Sequence, residues 1–355
     1  MIVKYCRGNE IIPVGQLVLE NRKILFEYYP SFIELGIELS PFKLKLQPGV
    51  ITCEDPVFEG LFGLFNDSLP DGWGRLLLDR HLIKQGINPG ALTPLDRLSY
   101  VGANGMGALF YESETAHYEA SQIKDLDVIA NECQQIQADG GDEFIDELLA
   151  LNGSSAGARP KILVDLPDGK WIIKFSSAID PKDNGAIEYA YHLMAMVAGL
   201  DVPEARLFKS KYFGVMRFDR QKDKYLHMQT ISGLLHIDHR IPSLDYQTII
   251  QITALLTKDL RESEKQFRNA VFNVLSHNRD DHAKNFSFLM NENGVWKVSP
   301  AYDLVFSSGL GGEHHTTIMG EGKSPSLQHL LQLAEASSIP QQTALEIRAI
   351  VKSCV

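Results

Sequence analysis

Nine consecutive residues, His277 to Asn285 (HNRDDHAKN), include eight that can donate, accept or ligate, and they lie between two apolar runs. On one side is a helical pattern ending at Leu275; on the other is the strand-like run Phe286 to Met290. Both runs are apolar enough to be buried, so the loop between them is held at each end. Polar loops are ordinarily solvated surface. One pinned between a buried helix and a buried strand has the rigidity that a catalytic constellation needs.

The remaining pattern sorts into three segments. From Met1 to about Leu46 short alternating runs, Val14 to Leu19 and Lys23 to Tyr29 among them, read as strands of a small sheet. Asp71 sits where an N-cap would precede the helix WGRLLLDRHLIKQG, and Thr93-Pro94 opens a shorter one. The stretch Gly102 to Gly107 (GANGMG) reads as a turn, and acidic helical segments follow at Ser121 to Ala138 and Asp142 to Leu151. After the loop Asn152 to Pro160, the runs KILVDLP and KWIIKFS flank an Asp168-Gly169 turn, which signals a hairpin. A helix Gly185 to Ala198 and strands Ala205 to Lys209 and Tyr212 to Phe218 come next. From about Ser243 the chain is mostly helical, interrupted by the β excursion NFSFLM and VWKVSP. The expected division is therefore a β-rich N-terminal subdomain over 1–110, a middle lobe over 111–242 and a helical lobe over 243–355 in an α+β fold. The 355 residues suffice for two or three such cores.

Charge is divided unevenly. The net charge of -11 argues against a wholesale nucleic-acid coat protein. Met1 to Ala150 holds 11 basic and 23 acidic residues, whereas Leu151 to Val355 holds 23 and 22. The acidic first part suits a basic protein partner, and the nearly neutral second part leaves room for local anion sites. Four cysteines, Cys6, Cys53, Cys133 and Cys354, are scattered without a CxxC pair, the usage of a reducing compartment. No signal-peptide core and no membrane-length apolar run is present, so a cytoplasmic location without membrane contact is expected.

Within the polar loop, Arg279-Asp280 is followed five residues after the Asp by Asn285, the relation RDxxxxN of phosphoryl-transfer catalytic loops. There the Asp accepts a substrate hydroxyl proton and the Asn ligates Mg. A second metal carboxylate belongs after a short hairpin, and Asp303 in SPAYD stands there; alone it would read as a turn or N-cap aspartate. Phosphoryl transfer asks for positioning and charge stabilisation more than covalent chemistry, so one base and two oxygen ligands nearly complete the apparatus.

Phosphate handling is expected from the middle lobe. Lys174 lies on the strand WIIKFS, where an apolar setting makes a lysine costly unless it meets an anion or snorkels to an edge. Glu188, on the next helix, could pair with it as the strand Lys and helix Glu of protein kinases do, or be an ordinary solvated residue. The loop NGSSAGARPK offers backbone N–H groups for phosphates but fits neither GxxxxGK[ST] nor GxGxxG.

The series SSAGARPK, WIIKFSS, IEYAYHLMAMVAGL, MRFDR, HMQTISGLL, HNRDDHAKNFSF and SPAYDL, taken in order, resembles the HipA-like serine/threonine kinases, toxins of bacterial toxin–antitoxin systems. The resemblance runs from about Leu61 to Phe306 and implies a two-lobed protein-kinase-like fold, ATP and Mg2+ as cofactors, and Asp280 as the catalytic base. It implies Asn285 and Asp303 as Mg ligands and Lys174 as the lysine on the ATP phosphates. Ala156, Gly157, Ala158, Arg159, Pro160 and Lys161 would cover the nucleotide. Met216, Arg217 and Phe218 would form the hinge against adenine, and His282, Ala283, Lys284 and Asn285 with Tyr302 would line the pocket. A phosphate-loop serine is autophosphorylated in the family, which ejects the loop; Ser154 matches, with Ser155 beside it. A phosphoserine adds about -1.5 to -2 charge in a pocket built for phosphate, so repulsion supplies a physical cause. Family members phosphorylate proteins, aminoacyl-tRNA synthetases included, and associate with a helix-turn-helix HipB-like antitoxin that contacts DNA. The chain has no helix-turn-helix pattern of its own, so DNA association is expected only through that partner.

Two other readings use the same residues. One is a catalytically silent nucleotide- or partner-binding module of the same fold. The other takes His277, Asp281, His282, His314 and His315 as transition-metal ligands of a phosphohydrolase; the order Asp-His and the absence of helical HxxxH spacing weigh against it.

Overall fold

The computed structural model describes residues 1–8, 10–112, 125–138, 140–152, 157–221 and 224–355. The expected mixture of sheets and helices is present. The chain forms two compact units, one of Met1–Ala186 with Ala205–Met228, the other of Ile187–Glu204 with Gln229–Val355.

In the first unit, β1 (Ile2–Arg7), β2 (Glu10–Glu20), β3 (Lys23–Tyr28), β4 (Val50–Thr52) and β5 (Leu109–Glu112) pair antiparallel in the order β4-β3-β2-β1-β5. Alternation does the sorting: along β3, Ile24, Phe26 and Tyr28 are buried while Lys23 and Glu27 are exposed. Phe26 packs edge-on to Tyr28 at 4.7 Å and tilted to Phe65 at 5.0 Å between ring centres, so aromatic contacts fill this core.

His227 is buried edge-on to Tyr5 and donates a ring N–H to the Leu39 carbonyl at 2.8 Å. Burial pushes its pKa down to about 4, although the carbonyl contact favours the charged ring. In the unfolded chain the ring titrates near its ordinary value of about 6.5. Unfolding therefore takes up a proton between those two values, and stability is expected to fall as pH drops from about 6.5 towards 4. Urea midpoints measured across that window should slope with pH in the native sequence and flatten in His227→Gln. The same slope in both would show that the acid sensitivity has another source.

The second sheet of this unit orders β6 (Lys161–Leu166), β7 (Gly169–Lys174), β9 (Tyr212–Met216) and β8 (Ala205–Phe208) as β6-β7-β9-β8, all antiparallel. One face carries Ile162, Val164 and Ile173 into a core shared with Leu77, Leu78 and Leu82 of the helix Gly72–Lys84, Ile129, Cys133 and Ile136 of Leu126–Gln137, and Leu148 of Ile145–Asn152. The hairpin turn lies one residue earlier than the Asp-Gly pair suggested. Leu166 faces Gly169 across the ladder, so Pro167 and Asp168 make the turn. Pro167 presets the backbone for the first turn position, and the Asp168 carboxylate accepts from the Trp171 indole at 3.1 Å and Arg206 at 2.8 Å.

The stretch GANGMG is more than the turn expected of it. Asp219 is fully buried between Arg217, which donates to it at 2.9 and 2.7 Å, and Arg220 at 2.7 Å. Both guanidinium groups also donate to the Gly105 carbonyl, Arg220 reaches the Gly107 carbonyl at 2.7 Å, and the Gly107 N–H donates to Asp219 at 2.8 Å. Burial alone would raise the Asp219 carboxyl; the two guanidinium groups overcome that and hold it below its ordinary value.

In the second unit the helices Tyr246–Thr257 and Leu260–Leu275 pack together, with Leu327–Ala336 and Gln341–Cys354 against them. Asp259 caps Leu260–Leu275 by accepting from the Arg261 N–H at 3.0 Å, and Phe267, Val271 and Phe272 bury its apolar stripe. The hairpin of Ser287–Met290 and Trp296–Val298 is fastened to that helix where the Val298 N–H donates to Glu262 at 2.8 Å.

Candidate active site

The polar loop begins where the helix Leu260–Leu275 ends. Ser276 is its C-cap and His277 turns into the left-handed region at φ 55°. The Asn278 N–H then donates to the Asn273 carbonyl at 2.9 Å, and the Ser307 N–H donates to the His277 carbonyl at 3.0 Å. The His315 N–H donates to the Arg279 carbonyl at 3.1 Å. At the far end, Ala283–Asn285 forms one 3-10 turn whose Lys284 N–H donates to His282 Nδ1, and the Ile231 N–H donates to the Phe286 carbonyl at 2.8 Å. The rigidity inferred from the apolar flanks thus has named bonds on both sides of the loop.

Within this frame Asp280 is exposed whereas Asp281 and Ala283 are buried. Asn285 donates its side-chain N–H to the Asp280 carbonyl at 2.8 Å, and its amide oxygen remains to serve as a ligand. Tyr302 braces the same turn through its hydroxyl, which donates to the Lys284 carbonyl at 2.6 Å. The rings of His282 and His315 stand edge to face at 5.9 Å, and His239 lies 5.4 Å from His282. Loss of water raises the Asp280 pKa above the usual aspartate range; His282 and His315 oppose this, while the Asp303 charge adds to it. Carboxylate and amide oxygens are the hard donor type that suits Mg2+, which keeps several waters and takes one or two carboxylates. Asn285 and Asp303 therefore fit the metal that the sequence implied.

Asp303 is itself in the left-handed region, at φ 53°, and its carbonyl accepts from the Asn278 side chain at 3.3 Å. Of the five residues considered for a transition metal, Asp281 and His314 are bonded to each other at 2.9 Å in a buried position. Among the described residues no group of three or more His, Cys, Asp and Glu side chains could hold a metal ion.

The other residues implied for the nucleotide lie in the first unit. Lys161 and Lys174 are directly opposite in the β6–β7 ladder and share the face turned away from the apolar core, with Leu163 and Ile172 next along it. Lys174 also lies 5.6 Å from the centre of the Phe213 ring. Met216 ends β9 opposite Trp171, and the Arg217 N–H donates to the Lys170 carbonyl at 2.8 Å, while the Arg217 side chain serves the buried Asp219 cluster. Phe218 is half-buried. Glu188 is buried in the second unit, on the helix Asn184–Val197.

Ser154, Ser155 and Ala156 lie outside the described residues, as do Ser121 to Lys124. The described end of the loop is anchored in a way the sequence reading missed. Asp71 occupies the N-cap position of Gly72–Lys84, yet its side chain makes no cap bond; the carboxylate accepts from the Gly157 N–H instead. The Trp73 N–H donates back to the Gly157 carbonyl at 3.1 Å. Arg159 forms a two-pronged pair with Asp180 at 3.0 and 3.1 Å, and the Phe175 N–H donates to the Pro160 carbonyl at 2.8 Å. Gly72 sits at φ 42°, and a Cβ there would come within 2.6 Å of the Ala158 Cα. Gly72→Ala is expected to cost about 1–3 kcal/mol through backbone strain and to quicken amide hydrogen exchange at Gly157 and Trp73, whose N–H groups make the anchor; unchanged exchange there would show that the anchor is dispensable. An Asp-Gly pair ahead of a helix was the available signal, but it looks the same whether the Asp caps its own helix or a distant loop.

The loop thus presents an exposed Asp280 with Asn285 tied to its backbone, on a mixed α and β fold. The HipA-like C-terminal domain matches residues 153–355 and the HipA N-terminal domain matches residues 9–112. The chain belongs to the HipA-like family. Two curated relatives carry provisional kinase names. Y4dM of Sinorhizobium fredii is 27% identical over 175 residues, which cover 44% of this chain and 42% of that protein. A Haemophilus influenzae protein is 28% identical over 181 residues, 43% of this chain and 52% of its own length. The chain thus spans about half the length of these relatives. The HipA toxin of Shewanella oneidensis MR-1, solved with HipB and its operator DNA, superposes with a TM-score of 0.74 at 18% identity, over 98% of this chain and 88% of that one. That likeness establishes the fold.

Proposed function

We propose that this chain is an ATP- and Mg2+-dependent serine/threonine protein kinase acting as the toxin of a toxin–antitoxin pair. The observation that carries the reading is the exposed Asp280 on a loop fixed at both ends, with Asn285 bonded to its backbone. Asp280 is the base for a substrate hydroxyl. Its raised pKa strengthens it as a proton acceptor. Asn285 and Asp303 would hold Mg2+, which supplies charge neutralisation on the transferring phosphoryl group. Lys174 and Lys161 supply positive charge for phosphates, and Gly157 to Pro160 extend that surface; Met216 to Phe218 face the base of the nucleotide. Ser154 or Ser155 is the autophosphorylation site of the regulatory loop.

The partner, by the same reading, is a HipB-like helix-turn-helix antitoxin, through which any DNA contact is made, and the acidic residues of Met1 to Ala150 are the face it meets. The substrate is a cytoplasmic protein, an aminoacyl-tRNA synthetase being the family precedent. No helix among the described residues is long and apolar enough to cross a membrane. The test is incubation with labelled ATP and Mg2+, alone and with a cell lysate. Label in a protein band, the chain's own included, is the expected result. No incorporation, with ATP still bound, would replace the kinase reading by that of a silent nucleotide-binding module.

A further inference from the structure

Asp281 is the neighbour of the proposed base, and it is fully buried. An ionised carboxylate removed from water costs several kcal/mol unless donors and charges surround it. Here four donors converge on its two oxygens. The Tyr246 hydroxyl donates at 2.8 Å and His314 Nδ1 lies at 2.9 Å on one oxygen; the N–H groups of His315 and Thr316 donate at 2.9 and 3.2 Å to the other. The Thr316 hydroxyl donates to the Asp281 carbonyl as well. The partners come from two separate pieces of chain, the start of the helix Tyr246–Thr257 and the segment after Asp303.

The bonds continue past Asp281. The Tyr246 hydroxyl accepts from the Asn273 side chain at 2.8 Å, and the Asn273 amide oxygen accepts from the Asn278 side chain at 3.0 Å. The same Asn278 nitrogen donates to the Asp303 carbonyl at 3.3 Å. One continuous path therefore joins the residue beside the base to the backbone of the second carboxylate. Asp280 and Asp281 face opposite ways, one to solvent and one to the interior, so anchoring the second fixes the direction of the first.

We infer that Asp281 is a positioning residue: its buried carboxylate aims Asp280 and, through Tyr246, Asn273 and Asn278, sets the place of Asp303. The inference rests on the kinase reading for its effect on rate, but the clamp itself has a readout that does not require turnover. Removing Asp281 outright risks unfolding, so the informative variants are Tyr246→Phe and Thr316→Val, which delete one hydroxyl each and keep the bulk, with Thr316→Ser as the conservative rescue.

Expected in Tyr246→Phe and Thr316→Val is a fall in kcat of about 10- to 100-fold, the size of a small misplacement of reacting groups, with KM for ATP within about twofold. Amide hydrogen exchange should quicken in peptides covering 277–285 and 301–305 and stay unchanged in the hairpin 287–298. Thr316→Ser should recover rate and protection together. Unchanged exchange in the loop would overturn the inference whatever the rate does. Quickened exchange throughout 229–355 would overturn it too, by reducing the network to general stability. If the native protein shows no phosphate transfer, the kinase reading fails, and loop exchange still decides whether the clamp exists.

Discussion

Asp280→Asn is expected to lower phosphate incorporation by about 10²- to 10⁴-fold, the usual contribution of a positioned general base, while ATP binding persists. The substitution keeps the volume and the loop: the bond that ties Asn285 to this residue is to its backbone carbonyl, which asparagine retains. What is lost is the acceptor for the hydroxyl proton and one negative charge beside Asp303. Asp280 and Asp303 repel one another, so taking away the Asp280 charge should not weaken binding of a nucleotide that carries its own negative charge. Calorimetric titration with ATP and Mg2+, beside a labelled-phosphate assay on the same preparation, separates the two effects. Equal loss of binding and transfer would show that Asp280 holds the nucleotide rather than accepting a proton. Full activity would remove it from the chemistry.

Asp219→Ala is the substitution expected to damage stability most. It leaves the Arg217 and Arg220 guanidinium groups buried without their carboxylate, a situation that typically costs about 3–5 kcal/mol. The side chains of both arginines are no more than 5% exposed, so water offers little compensation. Trp73 and Trp171 are buried in the first unit and report its unfolding by fluorescence. Urea denaturation should show a large drop in the midpoint. Replacing all three members together, as Arg217→Met, Asp219→Leu and Arg220→Met, should recover much of the loss, since an apolar cluster has no unpaired charge. A midpoint shift worth less than about 1 kcal/mol in Asp219→Ala would mean that solvent or the Gly105 and Gly107 carbonyls suffice to satisfy the arginines.

Much of the candidate site was legible because its parts are close in sequence. Asp280 and Asn285 are separated by one short turn, and the apolar runs on either side already said that the loop is pinned. The strands β6 and β7 and the helix Leu260–Leu275 were legible for a similar reason, since alternation and helical periodicity are local. GANGMG read as a bare turn because its partners, Arg217, Asp219 and Arg220, follow more than a hundred residues later. Asp71 read as a helix cap because nothing nearby shows that Gly157 will come to meet its carboxylate. Asp281 was visible only as one more polar residue in a polar loop, or as a possible metal ligand beside His314.

The chain by itself determined the elements, the motif RDxxxxN and the oxygen chemistry of Asp280, Asn285 and Asp303, because residue type and short spacing carry that information. Tertiary structure decided which of two adjacent aspartates meets solvent and which is sealed inside. That choice depends on burial and on donors delivered by Tyr246, His314, His315 and Thr316, which only folding brings to Asp281. Long-range hydrogen bonds choose between side chains that sequence presents as equals, because a buried charge survives only where distant segments of chain supply its partners.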